Sequence, residues 1–175
     1  QDTHLYICFQ SIVKIQPVFD AVLVDILLAD PKAHIVLQAS RHAAQTSTLR
    51  DRLENTIEER LCGYDASSQL CSTQSFLSRI HFLARIPSYQ VIDFLQLSGT
   101  SSVVLQPFPF DGSKTTSDTL KAGIPLITYP QPQLRGRMAS TLIRALFADD
   151  VPNDVASPCA ALPIACLIMF QRRCA

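Results

Sequence analysis

The sequence lacks net charge: 15 Lys and Arg are matched by 15 Asp and Glu across 175 residues. A balanced chain has no broad field to collect polyanions, so neither nucleic acid nor an anionic membrane surface is expected as a partner. Long apolar runs are missing too. The two longest, Ala21 to Ala29 broken by Asp25 and Ala160 to Phe170 broken by Pro163, fall short of the roughly 20 residues that cross a bilayer. No segment is expected to span a membrane. After the opening Gln-Asp-Thr-His no basic stretch leads into an apolar one, so no signal peptide is read. There is no initiator Met, and the chain is expected to be a fragment, located in the cytoplasm or nucleus.

Glycine is scarce, with five in the whole chain, and neither GxGxxG nor GxxxxGKS/T occurs. Dinucleotide-dependent hydride transfer and P-loop chemistry are therefore disfavoured. The six cysteines form no CxxC pair and no Cys/His ligand spacing, so reduced thiols are expected and a zinc site is not. Cys8, inside an apolar run, reads as a small buried hydrophobe. His4, His34, His42 and His81 are scattered and carry no expected chemistry.

What remains is globular: 47% hydrophobic and 17% charged residues. A chain of this length buries roughly 70% of its unfolded surface in one core. His4 to Phe9 reads as a buried strand. Pro17 to Ala29 has helical spacing, with Val18, Val22, Ile26 and Ala29 on one face. Asp30-Pro31 ends that helix, and His34 to Gln38 is the next strand. Thr46 to Leu61 is an amphipathic helix with Leu49, Leu53, Ile57 and Leu61 inward, stopped by Gly63. Tyr64 to Ser78 is polar and reads as a surface insertion. Strands at Arg79 to Leu83, Ser102 to Gln106 and Ile124 to Tyr129 then alternate with helices at Ser88 to Leu97, Thr116 to Lys121 and Leu134 to Phe147. Such alternation implies parallel pairing through right-handed crossovers, hence an α/β, doubly wound, mostly parallel Rossmann-like sheet over residues 1–150. The pattern fails over residues 151–175, an irregular tail. Ligands of doubly wound sheets lie at the carboxyl ends of the strands, which directs attention to the loops after the first, third and fourth strands.

After the fourth strand comes Pro107-Phe108-Pro109-Phe110-Asp111-Gly112-Ser113-Lys114-Thr115-Thr116-Ser117-Asp118, running into a helix. Free NH groups and the helix dipole make such a start an anion site that a phosphate or diphosphate would fit. The same residues also suit ordinary N-capping, and the stretch alone leaves both readings open. Asp118, one turn in, is placed either to accept from ribose hydroxyls or to favour the dipole. Lys14, just beyond the first strand, would point to the same sheet edge as Lys114.

The run PFPFDGSKTTSDTLKAGIPLIT resembles the C-terminal catalytic lobe of the protein O-GlcNAc transferase family, especially its SPINDLY-like and bacterial members. The resemblance reaches back to Leu5-Tyr6-Ile7-Cys8-Phe9-Gln10 with Lys14, to Ala29-Asp30-Pro31 and to Arg79-Ile80-His81-Phe82, and forward to Leu134-Arg135-Gly136-Arg137. It implies the C-terminal half of a GT-B glycosyltransferase fold, with a nucleotide sugar in the cleft between two lobes. It further implies that Gln10 and Lys14 approach the diphosphate, with Lys14 as the catalytic cation on the departing nucleotide. Lys114, Thr115 and Thr116, with Gly112, would hold phosphate oxygens, and Asp118 the ribose. Ile86, Pro87 and Ser88 would meet the base, and Arg137 matches a family arginine of unassigned role.

The reaction so implied transfers GlcNAc from UDP-GlcNAc to Ser or Thr hydroxyls of proteins, with neither metal nor other cofactor, and the chain lacks a DxD signature. Members of the human type have a lysine and a histidine in the base loop where this chain has Ser88 and Val91, so GDP-fucose stays open as donor. Ser98 to Ser102 replaces the family's Ala-Asp pair, and Gln106 stands where an Asp is common. The acceptor lobe and the tetratricopeptide repeats that usually precede it are absent from these residues. A catalytically silent nucleotide-sugar-binding remnant is the alternative expectation.

Overall fold

The computed structural model describes residues 3–62, 73–87, 89–98 and 102–146, together with the backbone of 168–170. Expectations for Gly63, for most of the Tyr64 to Ser78 segment, for Ser88 and for nearly all of 151–175 fall outside the described residues. The strands are β1 His4–Cys8, β2 Ala33–Gln38, β3 Ile80–Leu83, β4 Ser102–Leu105, β5 Leu126–Thr128 and β6 Ile168–Phe170. The helices are α1 Pro17–Ala29, α2 Ala43–Cys62, α3 Thr73–Leu77, α4 Val91–Ser98, α5 Lys114–Ala122 and α6 Met138–Leu146, with 3-10 turns at Ile12–Lys14 and Leu134–Gly136. They build one sheet of order β3-β2-β1-β4-β5-β6. The first five strands pair in parallel. β6 joins β5 antiparallel, with Leu126 opposite Phe170. This is the doubly wound, Rossmann-like architecture that the alternating pattern implied.

Successive strand residues point to opposite faces, and here each face has a core. Cys8, Leu37 and Leu105 pack with Phe19, Leu23 and Leu27 of α1 and Leu49, Leu53 and Ile57 of α2. Their neighbours Ile7, Val36 and Val104 pack instead with Val91 and Leu95 of α4 and Ala139 and Ile143 of α6. Helices thus cover both sides, as buried strands with continuous apolar runs require.

Three local readings need correction. α1 has the expected bounds but buries a different face: Phe19, Asp20, Leu23, Val24 and Leu27 point inward, while Val18 is 55% exposed. Apolar residues surround this helix, so spacing does not single out a side. On the buried side Phe19, Leu23 and Leu27 join the core, and Asp20 is matched by Arg52 of α2, whose Nε and Nη2 each donate to it at 2.8 Å. Secondly, part of the polar segment is a short helix, α3. Arg79, just after it, reaches back to Leu27 O (2.9 Å) and Asp30 O (3.0 Å), satisfying carbonyls at the end of α1 that no basic residue of α1 serves. Thirdly, the helix expected from Leu134 onward is broken at Arg137, whose φ of −133° and ψ of 10° interrupt it. α6 begins afresh at Met138, because Asp111 Oδ2 accepts from the Ala139 NH (2.9 Å) and caps it from another loop.

Candidate functional site

The chain leaves β1 and β4 toward opposite faces of the sheet, and this is where a doubly wound fold forms its crevice. A cavity of about 600 Å³ lies there, within the usual range for ligand pockets. Its walls come from the loop after β1, the start of α5, the loop after β2 and the segment Arg85 to Pro87 after β3.

The loop after β1 is shaped by its apolar anchors. Ile12 and Ile15 are buried at the ends of a tight turn, closed by the Lys14 NH on Ser11 O and the Ile15 NH on Ile12 O (2.9 Å each). Lys14 between them is directed into the crevice. Its ammonium donates to Gln10 Oε1 (2.9 Å) and to the Asp111 carbonyl (3.1 Å), and lies 4.3 Å from the centre of the Phe110 ring. Gln10 Nε2 donates to Gln106 Oε1 (3.1 Å) and to Thr115 Oγ1. Gln106 Oε1 also accepts from the Gly112 NH (3.0 Å). Both bonds use only the oxygen of Gln106, so a carboxylate could serve there equally. The two loops, about a hundred residues apart in the chain, are thereby joined into one unit.

α5 begins at Lys114, and the Ser113 side chain makes no capping bond to it. Lys114 Nζ lies 2.7 Å from Asp118 Oδ2 one turn along, and Asp118 is only 4% exposed. Gly112 is required by close approach: a Cβ there would run into Gln10 Nε2 and Thr115 Oγ1.

Burial lowers the pKa of Lys14, opposed chiefly by the charge of Asp111. Burial raises that of Asp111, opposed by the backbone NH groups of Ala139 and Met138 and by Lys14. The Cys8 thiol is pushed up to about 12 by burial, which makes it an inert neighbour.

Of the residues expected from sequence, Gln10, Lys14, Ile86, Pro87, Lys114, Thr115 and Asp118 line this one cavity. Thr116 does not. It is fully buried and its hydroxyl donates to Gly112 O (2.6 Å), the back-bond to residue i−4 that threonine commonly makes in a helix. That hydroxyl is unavailable to a phosphate. Gly112 lies beneath Gln10 rather than on the wall, and Arg137 is an exposed turn residue away from the lining. Ser88 is outside the described residues. Sequence reading missed the wall after β2, formed by Gln38 to His42 and Gln45. The rule about carboxyl ends applied to β2 as much as to its neighbours. Among the described residues no group of three or more His, Cys, Asp or Glu could hold a metal ion, and no helix is long and apolar enough to cross a membrane.

No family model and no curated protein matches the chain. Among solved structures it is similar to an O-GlcNAc transferase mutant, K341M, of Thermobaculum terrenum, with a TM-score of 0.61 and 23% identity over 82% of this chain. The match spans 24% of that transferase. The chain therefore has the fold of about a quarter of a glycosyltransferase, a doubly wound α/β unit with its cavity at the switch point.

Proposed function

We propose that this chain is the donor-binding lobe of a glycosyltransferase, with the diphosphate of a nucleotide sugar held between the β1 loop and the start of α5. The convergence of Gln10 and Lys14 with Lys114, Thr115 and Asp118 on one cavity carries this reading. Departure of the sugar leaves negative charge growing on the diphosphate, and Lys14, Lys114 and the first NH groups of α5 are fixed donors that offset it. Asp118 meets the ribose, and Ile86 and Pro87 flank the base. In a complete enzyme the sugar passes to a Ser or Thr hydroxyl of a protein, GlcNAc from UDP-GlcNAc or fucose from GDP-fucose. A second reading, a nucleotide-sugar-binding unit without transfer activity of its own, is favoured for the isolated chain by its span of about a quarter of the solved transferase.

Calorimetry with UDP and GDP tests both. At least one should bind, and Lys14→Ala should weaken it about 30-fold, the loss of a charge-assisted bond of roughly 2 kcal/mol. Thr115→Ala should cost less, about fivefold, as a neutral hydrogen bond of roughly 1 kcal/mol. No heat with either nucleotide overturns both readings. Radiolabelled UDP-GlcNAc and GDP-fucose offered with a peptide acceptor then separate transfer from binding alone.

The lowered pKa of Lys14 adds a pH signature. Bound diphosphate favours the ammonium and raises the pKa again, so affinity is complete below the free-state value and lost as pH rises through the bound-state value. Because burial is the main cause of the lowering, this loss begins below the ordinary lysine value of 10.5. Proton uptake on binding should appear in that alkaline interval as a heat that depends on the buffer's ionisation enthalpy. Lys14→Met should abolish it, and uptake that persists in Lys14→Met assigns the proton elsewhere.

A further inference from the structure

The cavity carries more positive charge than a nucleotide-sugar diphosphate needs. Lys14, Lys114, Arg41 and Arg85 line it against the single carboxylate of Asp118, in a chain whose net charge is zero. At the α5 end Lys114 is paired with Asp118 and Lys14 is the remaining cation, so the four cations and one carboxylate leave about one positive charge beyond the two of a diphosphate ester. Arg41 and Arg85 belong to the other end, in the loops after β2 and β3, where no carboxylate lines the wall. Neither has an ion pair or hydrogen bond among the described residues, and both are exposed residues of the lining. In the order β3-β2-β1-β4 the loops after β2 and β3, which carry Arg41 and Arg85, are two and three strand spacings from the loop after β4, about 10 and 14 Å at roughly 4.8 Å each. Adjacent phosphates of one diphosphate cannot reach both ends.

We propose that Arg41 and Arg85 form a second anion subsite, which takes a phosphate group separate from the diphosphate at α5. Guanidinium forks suit phosphate because their paired NH groups match its oxygens two at a time. Two forks from different loops can clasp one such group. The phosphate is either a further substituent on the ligand, such as one on the ribose of the nucleotide, or a free phosphate bound beside it. The inference rests on the proposed function only in placing a diphosphate at α5.

Both arginines are exposed, so their removal leaves the core intact. Inorganic phosphate titrated into Lys14→Ala protein should reveal a site that is lost when Arg41→Ala and Arg85→Ala are added, while Arg60→Ala, at an exposed ion pair with Asp25, changes nothing. This arm needs no nucleotide, so it stands even where UDP and GDP fail to bind. The source is then identified with whichever of UDP and GDP binds the tighter. About tenfold tighter binding of its 3′-phosphorylated form, abolished in the arginine double variant, assigns the subsite to the ligand's own phosphate. Inorganic phosphate binding alongside the saturating nucleotide, with no gain from the 3′-phosphate, assigns it to free phosphate. The proposal is overturned if no arginine-dependent phosphate binding appears in any arm. It is equally overturned if the double variant weakens the plain nucleotide with phosphate binding unchanged, for the arginines would then be reading the base.

Discussion

Replacing Arg52 by alanine should lower the unfolding free energy by about 3–5 kcal/mol, the usual cost of stranding a buried charge. That is a large part of the roughly 5–15 kcal/mol by which a domain is stable. Asp20 is 1% exposed inside α1, and Arg52 is its partner through two bonds of 2.8 Å. The same guanidinium donates to the Ile15 carbonyl at 2.9 Å, so it also ties α2 to the turn that carries Lys14. Burial raises the Asp20 pKa even against the pull of Arg52. A carboxyl whose folded pKa is raised contributes stability below its unfolded pKa and loses it as pH rises through the folded value. Without Arg52 the folded pKa rises further, so the defect should be large at neutral pH and should shrink toward about pH 4, where an ordinary aspartate protonates. Urea denaturation at both pH values measures this. The double variant Asp20→Ala/Arg52→Ala should recover part of the loss, because the stranded charge is gone. An Arg52→Ala protein within about 1 kcal/mol of the parent at neutral pH would show that water reaches Asp20 after all.

The second large effect is on binding. Gly112→Ala should abolish measurable nucleotide binding and lower the melting temperature modestly, whereas Gly136→Ala should lower the melting temperature more and leave binding in place. The difference lies in what each new methyl group meets. At Gly112 it meets two side chains, Gln10 and Thr115, which can turn away only by giving up the bonds from Gln10 that join the two loops. Both residues line the cavity where the diphosphate is proposed to sit, so relieving the clash should dismantle that end of it. At Gly136 it meets the Pro109 backbone oxygen and, at 2.6 Å, the Gln131 Cβ, neither of which can swing aside. Overpacking of that kind costs about 1–3 kcal/mol. Thermal melts and calorimetry on the two variants side by side test the contrast. Gly112→Ala protein that binds UDP or GDP as well as the parent would remove Gln10 and Thr115 from the site.

Much of the fold was legible because its signals are local. β1, β2 and α2 were found from apolar runs and from the spacing of Leu49, Leu53 and Ile57, all of which are fully buried. α1 was found by its extent but not by its inward face, since a helix that is apolar nearly all round presents no face to periodicity. The break at Arg137 was invisible for another reason. Residues 134 to 146 suit a helix well enough, and only the Asp111 carboxylate, supplied from a loop some 28 residues away, decides where α6 starts.

The candidate site divides along the same line. The linear pattern established that strands alternate with helices and that Gly112 to Asp118 opens a helix, and it left anion binding and ordinary capping both open there. Periodicity, turn residues and helix-start residues act over a few positions, so they survive in a linear reading. Tertiary structure alone decided that Thr116 turns its hydroxyl into its own helix while Thr115 faces the cavity. Only the fold brings Gln106 under Gln10 and Gly112, and sets Arg41 and Arg85 on the wall across from Lys14. Those outcomes depend on strand order and on contacts between residues tens of positions apart, which no local pattern encodes.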